Sequence, residues 1–266
     1  MSGNTPENKG AKSIRGVTNG VRGVANADHD VANADHDVAI ADRSIANAEH
    51  SVAIGDCDVV IMDYGVGNLR SVQKAFEARG HVAVVTSDAG VIRAAPRVIL
   101  PGVGAFGAAA SCLRESGLDI VALDAAHSGK PFLGICVGMQ LLFDTSEEMG
   151  LHHGLGLLPG KVLRFDETNL GGEARGVKVP QIGWNSLDFA EPRSPIFAGL
   201  HDGAEVYFVH SYFCRPENDT VTAARTPFIA PYTSAVWNGR NVYGTQFHPE
   251  KSGDIGLTIL DNFARL

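Results

Sequence analysis

From residue 59 onward, the spacing of apolar residues alternates between strands and helices. Residues 59–62 are a continuous apolar run, and residues 69–79 then carry apolar side chains at helical spacing until Gly80 ends the pattern. Short apolar runs predict further strands at 82–85 and 98–100, and helical spacing predicts helices at 105–115 and 118–128. Buried strands that alternate with helices form a parallel sheet with helices on both of its faces.

After Gly150 the pattern changes to short strands separated by Gly, Pro and Asn turns. Strands are predicted at 161–165, 205–209, 221–224, 234–237 and 241–245. The Asn-Gly-Arg sequence at 238–240 is typical of a hairpin turn, and a final helix is predicted at 255–266. The predicted fold class is therefore α/β with three layers: a central, mainly parallel sheet, helices on both faces, and a mixed or antiparallel extension of the sheet.

A seven-residue unit repeats five times before this region, across residues 24–58, and its first copy reads Val-Ala-Asn-Ala-Asp-His-Asp. The apolar positions recur as in a heptad, although Asn and Asp are poor helix formers. The repeat is compatible with a marginal helix, a disordered acidic arm, or a metal-binding tract of His29, His36 and His50. We expect residues 1–57 to be a low-complexity, disordered extension without chemistry of its own, and residues 58–266 to form the domain.

Composition narrows the classes of function. The 266-residue chain has a net charge of −8, which indicates no basic surface for nucleic acid, and it has no apolar run typical of a membrane span or a secretion signal. Its four cysteines are widely spaced and form no Cys-x-x-Cys pair, so they do not indicate a zinc or redox site. We therefore expect a reduced, cytoplasmic protein that needs no metal and no cofactor and binds neither nucleic acid nor membrane.

One cysteine stands in a motif that is typical of a catalytic nucleophile. Cys136 has Gly134 two positions before it and Gly138 two positions after it, between a short apolar strand and a helix predicted to reach residue 143. Such an elbow, usually built around serine, lets the chain turn sharply and leaves the nucleophile at a helix N-terminus, where the helix dipole favours the thiolate. On the local pattern alone, a small buried cysteine with no catalytic role is an equal alternative.

A cysteine nucleophile needs a base and a group that orients the base. Among the histidines of residues 58–266, His248 is the candidate, because it follows a predicted strand and stands two residues before Glu250. Side chains two apart on an extended chain point the same way, so Glu250 could lie behind the ring and fix its tautomer. The alternative is a strand-end histidine beside a surface carboxylate, but the elbow and this pair together favour catalysis.

A glycine-rich loop, Pro-Gly-Val-Gly at residues 101–104, follows the strand predicted at 98–100. In this position it lies at the carboxyl edge of the sheet, where open α/β folds bind ligands, and its glycines allow backbone N–H groups to face one. A plain strand-to-helix turn is the alternative. An earlier pair, Gly65 and Gly67, does not complete a dinucleotide-binding fingerprint, because Arg70 stands where the third glycine belongs.

Residues 58–266 resemble class I glutamine amidotransferases and, among these, the glutaminase subunits of imidazole glycerol phosphate synthases of histidine biosynthesis. The segments that carry the resemblance are 63–71, 101–106, 134–140, 183–185, 207–212 and 246–252. The cysteine elbow and the His-Pro-Glu segment are common to the class, whereas the Asp-Tyr-Gly start, the Pro-Gly-Val-Gly loop and the Gly-Trp-Asn segment are typical of this subunit. The chain departs from the family at Gln181 and Ile182, where the family usually has His and Met.

The resemblance implies a flavodoxin-like fold and a role for each matching residue. Cys136 would attack the carboxamide carbon of glutamine, His248 would carry the proton to departing ammonia, and Glu250 would orient His248. The backbone that stabilises the oxyanion would belong to Gly102, Val103, Gly104 and Val137. The groups that hold the α-amino and α-carboxylate groups of glutamine would belong to Gln140, Glu148, Ser211 and Tyr212.

The resemblance also implies a partner, a (β/α)8-barrel cyclase that forms a heterodimer with this chain and receives its ammonia through a tunnel. The products of the complex would be imidazole glycerol phosphate and an aminoimidazole carboxamide ribotide. Three alternatives remain open: the glutaminase subunit of another class I amidotransferase, such as that of pyridoxal phosphate synthesis; a stand-alone cysteine peptidase or γ-glutamyl hydrolase; and a non-enzymatic binding module. The Pro-Gly-Val-Gly loop argues against the first, an assay without a partner separates the second, and the intact Cys136, His248 and Glu250 argue against the third.

Overall fold

The computed structural model describes residues 57–166 and 178–266. The predicted repeat extension, with His29, His36 and His50, lies outside these residues, apart from Cys57 at its end. Cys57 is buried with the core, and its thiol donates a hydrogen bond to the Val59 carbonyl oxygen at 3.2 Å.

The first part of the described chain alternates strands and helices, as predicted. Its elements are β1 (Val59–Met62), α1 (Leu69–Glu77), β2 (Ala83–Thr86), α2 (Ala89–Ala94), β3 (Val98–Gly102), α3 (Phe106–Glu115), α4 (Leu118–His127) and β4 (Phe132–Cys136). Every residue of β1, β3 and β4 is buried, because the sheet is covered on both faces. Helix α2 is too short to show a helical period in the sequence, and it begins where the Asp88 carboxylate accepts the Val91 N–H at 2.9 Å.

The second part of the chain is mostly strands. Its elements are α5 (Val137–Gln140), β5 (Phe143–Ser146), β6 (His152–His153), β7 (Leu158–Arg164), β8 (Gln181–Ser186), β9 (Asp188–Phe189), β10 (Glu205–His210), β11 (Tyr212–Pro216), β12 (Thr222–Thr226), β13 (Tyr232–Trp237), β14 (Val242–Thr245) and α6 (Gly253–Ala264). Within the described ranges, no helix has the length and apolar character needed to cross a membrane.

Twelve strands of the described residues form one large sheet in the order β2-β1-β3-β4-β14-β13-β11-β7-β5-β6, with β12 paired to β13 and β9 paired to β12. From β2 to β14 all neighbours are parallel, in the strand order of a flavodoxin-like fold. Beyond β14 the pairing is mixed, and β8 and β10 form a separate antiparallel pair. The predicted α/β fold with a mixed extension is confirmed, and the carboxyl ends of β3, β4 and β14 lie side by side.

The helix after the elbow is shorter than predicted. It has a single turn, and Phe143, which the sequence places at the end of the helix, begins β5 instead. The carbonyls of Leu141 and Leu142 accept the N–H groups of Leu155 and Leu157, at 2.7 and 2.8 Å, instead of continuing the helical ladder. Pairing with a distant segment therefore ends the helix.

Five strands are missing from the sequence prediction, β5, β6, β8, β9 and β11, and the two longest of them, β8 and β11, have weak local signals. Strand β8 reads Gln-Ile-Gly-Trp-Asn-Ser, which is poor in strand formers, yet it pairs with β10 along all six of its residues. Strand β11 forms because it lies between β13 and β7 in the sheet. Both strands depend on neighbours that are far away in the chain, which local pattern does not show.

The backbones of β3, β4 and α5 approach one another directly at glycines. A Cβ atom on Gly138 would lie 1.9 Å from the Leu100 carbonyl oxygen, and one on Gly134 would lie 2.5 Å from the Gly138 carbonyl oxygen. Contacts this close leave no room for a side chain. The two glycines that flank Cys136 therefore allow the strand–turn–helix unit to pack against β3.

Gly138→Ala should destabilise the protein, because the new methyl group has to push β3 and α5 apart. We expect the free energy of unfolding to fall by about 3 kcal/mol, which corresponds to a decrease in Tm of roughly 6–12 °C. The matched control is Gly90→Ala in α2, where the Cβ would meet an exposed side-chain atom, the Asp88 carboxylate oxygen at 3.1 Å, rather than backbone. Thermal unfolding that shows equal Tm values for both variants would contradict the packing described here.

Candidate active site

The cysteine elbow lies at the carboxyl edge of the parallel sheet. Strand β4 ends at Cys136 and α5 begins at the next residue, and Cys136 itself has φ +56° and ψ −113°. Backbone in such a sparsely populated region costs a residue with a side chain on the order of 1–3 kcal/mol and is concentrated at functional sites. Gly102, at the end of β3, is the sheet neighbour of Cys136. Cys136 thus occupies the sharp turn that the sequence predicts.

A pocket of about 470 Å³ opens beside the Cys136 sulfur. Nine of the residues that the sequence analysis selects line it: Val103, Gly104, Cys136, Val137, Gln140, Glu148, Ser211, Tyr212 and His248. Two do not, since Gly102 lies in the sheet beneath the elbow and Glu250 lies behind His248. The pocket is also lined by four residues that the sequence analysis does not select: Pro180, Val209, His210 and Lys251.

His248 and Glu250 form a buried pair. The distance from His248 Nδ1 to Glu250 Oε1 is 2.8 Å, and the two side chains are 3% and 1% exposed. The predicted contact is present, but the predicted extended backbone is wrong. Pro249–Lys251 is a 3₁₀ turn, and the Lys251 N–H closes it on the His248 carbonyl at 3.0 Å. This turn, rather than strand alternation, brings the carboxylate to the ring.

The surroundings of His248 keep its ring protonated. Burial lowers the pKa of His248, but its interactions with Cys136 and Glu250 and the charges of both partners outweigh burial and raise the pKa to about 10. The second carboxylate oxygen of Glu250, Oε2, is buried without a hydrogen-bond partner among the described residues. The carboxylate is therefore held by its bond to His248, and the His248 ring interacts with both Cys136 and Glu250.

The glycine-rich loop between β3 and α3 is anchored at both ends. The hydroxyl of Tyr64 donates to the Pro101 carbonyl oxygen at 2.6 Å, and the Phe106 N–H donates to the Glu148 carboxylate at 2.7 Å. Gly104, between the anchors, has φ +81° and space around its Cβ position. Val103 and Gly104 thus lie at the pocket between two fixed points. Tyr64 belongs to the Asp-Tyr-Gly start, although the sequence analysis gives it no role.

Gln140 connects the pocket wall to the surroundings of Cys136. Its Nε2 donates to the Tyr212 carbonyl at 3.2 Å and to Gln246 Oε1 at 3.1 Å, and Gln246 Nε2 lies 3.9 Å from the Cys136 sulfur. Both N–H groups of Gln140 are therefore used within the protein, and its Oε1 remains as an acceptor. Gln246 is fully buried. No local sequence pattern marks Gln246, although it stands two residues before His248 in a segment that carries the resemblance.

The described ranges offer no set of side chains that could ligate a metal ion. Within residues 57–166 and 178–266, no group of three or more His, Cys, Asp or Glu side chains could hold a metal ion.

A family model matches this chain along nearly the whole described region. The model is Glutamine amidotransferase class-I, and it covers residues 60–265. Among curated proteins, the imidazole glycerol phosphate synthase subunit HisH of Syntrophotalea carbinolica is 50% identical over 202 residues, which are 76% of this chain and 97% of that protein. The subunit HisH of Geobacter sulfurreducens is also 50% identical, over 206 residues that cover 77% of this chain and 97% of that protein.

Solved structures match at the level of the fold. The structure of PurLQS from Thermotoga maritima has a TM-score of 0.60 at 20% identity and covers 78% of this chain and 97% of that chain. A crystal structure of a glutamine amidotransferase has a TM-score of 0.59 at 19% identity and covers 78% of this chain and 99% of that chain. The arrangement of strands and helices is therefore shared with proteins of distant sequence.

Proposed function

The chain belongs to the class I glutamine amidotransferase family, and on this basis we propose that it is the glutaminase subunit of an imidazole glycerol phosphate synthase. It hydrolyses glutamine to glutamate and ammonia in the cytoplasm and delivers the ammonia to a cyclase partner in histidine biosynthesis. The products of the complex are imidazole glycerol phosphate and an aminoimidazole carboxamide ribotide. The observation that carries the proposal is the unit of Cys136, His248 and Glu250 at the pocket, in a chain half identical to HisH subunits.

In the proposed mechanism the Cys136 sulfur attacks the carboxamide carbon of glutamine and forms a tetrahedral intermediate. His248 gives its proton to the nitrogen, the C–N bond breaks, and ammonia leaves a γ-glutamyl thioester on Cys136. A water molecule that passes a proton to His248 then attacks the thioester and releases glutamate. Glu250 stabilises the imidazolium form of His248 and keeps the ring turned toward the sulfur.

The oxyanion of the tetrahedral intermediate needs N–H donors beside Cys136. The Val137 N–H is the first donor, because it opens the single turn of α5 and Val137 lines the pocket. The second comes from the loop of Gly102, Val103 and Gly104. Losing one such donor costs on the order of 3 kcal/mol in the transition state.

The α-groups of glutamine meet different kinds of polar atom. Gln140 Oε1 and the Glu148 carboxylate are acceptors, so they suit the α-ammonium group. The carbonyls of Ser211 and Tyr212 already accept protein donors, from the Phe165 N–H and from Gln140. Ser211 and Tyr212 therefore serve the α-carboxylate through donor groups.

We infer that the cyclase, a (β/α)8 barrel that forms a heterodimer with this chain, docks on the outward face of β8 and β10. This face is apolar: Ile182, Trp184 and Val209 are 64%, 55% and 36% exposed, and Trp184 packs edge-on against Tyr207. Val209 also lines the pocket, so a partner seated here would adjoin the site of ammonia release. Side chains alternate along β8, and Gln181 therefore lies on the buried face.

Trp184→Ala should weaken the complex. An exposed tryptophan at the centre of an interface is a typical hot spot, so we expect the Kd for the cyclase to rise by about 10- to 100-fold. The matched control is Ile120→Ala on α4, since Ile120 is 56% exposed and does not line the pocket. Titration of the cyclase barrel into each variant measures both constants. A Kd that rises equally for the two variants would rule out docking at β8 and β10.

The proposed function is tested by measuring glutamate and ammonia release with and without the cyclase barrel holding its ribonucleotide substrate. We expect turnover to be slow for the isolated chain and at least tenfold faster in the liganded complex. The reason is that an N–H of the loop between the Tyr64 and Glu148 anchors turns toward the oxyanion only in the complex. Equal rates would contradict partner control, and fast stand-alone turnover would favour the γ-glutamyl hydrolase alternative.

A further inference from the structure

A chain of buried hydrogen bonds connects the docking strand β8 to the pocket wall. His210 and Gln181 are cross-strand neighbours, and their residues are 7% and 4% exposed. The Tyr232 hydroxyl lies 3.1 Å from His210 Nε2 and 2.9 Å from Gln181 Oε1. On the other side of the ring, His210 Nδ1 lies 2.8 Å from the Tyr212 carbonyl oxygen.

The Tyr212 carbonyl decides which nitrogen of His210 carries the proton. A carbonyl oxygen can only accept, so Nδ1 must be the donor. Burial lowers the pKa of His210 to about 4, although the hydrogen bond to Tyr212 acts in the opposite direction. The ring is therefore neutral near pH 7 and has a single proton. Its Nε2 must then accept a hydrogen bond from the Tyr232 hydroxyl.

Gln181 completes the chain as a donor. Once the hydroxyl proton of Tyr232 points to His210, the hydroxyl oxygen can still accept a hydrogen bond. Gln181 Nε2 is buried and has no partner among the described residues while Oε1 faces Tyr232. A half-turn of the amide places Nε2 against the Tyr232 oxygen and gives this buried donor a partner. Gln181, where the chain departs from the family pattern, thus holds Tyr232 in its donor orientation toward His210.

We propose that His210 is a positioning residue for glutamine, which acts through the Tyr212 carbonyl on the side chain of Gln140; this rests on the proposed glutaminase function. The Tyr212 carbonyl accepts His210 Nδ1 at 2.8 Å and Gln140 Nε2 at 3.2 Å, so both of its lone pairs are used. The ring thereby holds the peptide to which Gln140 is bound. With both N–H groups of Gln140 engaged, its Oε1 is free to accept a hydrogen bond from the substrate beside the Glu148 carboxylate.

In this scheme His210 supports the binding of glutamine and takes no part in proton transfer. Loss of the ring should free the Tyr212 peptide and the Gln140 amide, which weakens binding of the α-ammonium group. His210 does not contact the reacting atoms in this scheme, so the chemical step should change little. KM for glutamine should therefore respond more than kcat.

The experiment compares His210→Leu, His210→Asn and wild type in the full complex with the cyclase. Asn places its side-chain N–H near the position of Nδ1, whereas Leu offers no donor. We expect His210→Leu to raise KM for glutamine about tenfold with kcat within about threefold, and His210→Asn to keep KM within about threefold of wild type. A wild-type KM in His210→Leu, or an equal increase in both variants, would overturn the proposal.

A second readout does not depend on activity. Nitrogen-15 NMR of the histidine rings, with His210 assigned by its absence in His210→Asn, should show a neutral ring with the proton on Nδ1. Tyr232→Phe, which removes the donor to Nε2, should shift the Nε2 resonance. A proton on Nε2 would refute the proposed chain even if His210→Leu fails to fold. A wild-type complex without glutaminase activity would instead refute the proposed function. The NMR result would then decide on its own whether the hydrogen bonds from Tyr232 to His210 and from His210 to Tyr212 exist.

Discussion

Cys136→Ser should lower glutamine-dependent turnover by on the order of 10³-fold or more, because the members of a nucleophile–base unit fail together when one is removed. A serine hydroxyl beside His248 does not give up its proton as a thiol does, so the covalent step is lost. The same complex supplied with ammonium salt should still make its cyclase products, since that reaction does not need the glutaminase pocket. Glutamate release and product formation are measured in the same samples.

The matched control for this substitution is Cys112→Ser. Cys112 is a partly buried cysteine on α3 that does not line the pocket. Its replacement should leave glutamine-dependent turnover within about twofold of wild type, since exchanges that are remote from the site usually have small effects. Turnover that survives in Cys136→Ser, or is lost equally in Cys112→Ser, would show that the nucleophile is misassigned.

Glu250→Gln should lower kcat by on the order of 10²- to 10⁴-fold, because a neutral amide does not stabilise the imidazolium or hold its tautomer. The buried bond of 2.8 Å from Glu250 Oε1 to His248 Nδ1 is one of the contacts that raise the pKa of His248 to about 10. The substitution is nearly isosteric, so the fold should be kept. Steady-state kinetics and thermal unfolding of Glu250→Gln separate these two effects, with the exposed Glu115→Gln as control.

The pH dependence of the same variant gives an independent check. A raised pKa keeps His248 protonated up to about pH 10, so the imidazolium-dependent activity of the wild type should decline only as the pH passes that value. Without the carboxylate the pKa of His248 falls, and the alkaline limb of the kcat/KM profile should move to lower pH. An unchanged alkaline limb would mean that Glu250 does not act on the ring.

The features that could be predicted from the sequence are those set by short stretches of chain. Strands β1, β3 and β4 are continuous apolar runs, and the glycines at 134 and 138 mark the elbow between β4 and α5. These glycines are needed because backbones of neighbouring elements approach too closely for a side chain. A packing requirement between neighbouring segments therefore appears in the sequence as glycines at fixed positions.

Features that depend on distant pairing could not be predicted in the same way. The end of α5 is set by Leu155 and Leu157, and β8 and β11 exist because β10, β13 and β7 pair with them. In the site, Gln246 and His210 acquire their places only when β14, β10 and α5 meet around the pocket. A buried glutamine or histidine has no sequence period that would mark it.

The contact between His248 and Glu250 agrees with the sequence prediction, but the extended backbone predicted for it is absent. Strand alternation and a 3₁₀ turn can both bring side chains two residues apart together, and the turn at Pro249–Lys251 is the one present. Proline fits the first position of such a turn because its ring fixes φ. The sequence therefore indicates which groups meet more reliably than how the backbone brings them together.

The most direct test of the account is to find which sulfur reacts with the substrate's side-chain carbon. The probe is a glutamine analogue in which a diazomethyl ketone replaces the carboxamide, incubated with the complex and followed by peptide mass mapping. We predict one added label on Cys136, prevented by excess glutamine and absent in Cys136→Ser. Labelling of Cys57, Cys112 or Cys214 instead, or no labelling in a complex that hydrolyses glutamine, would contradict the central claim.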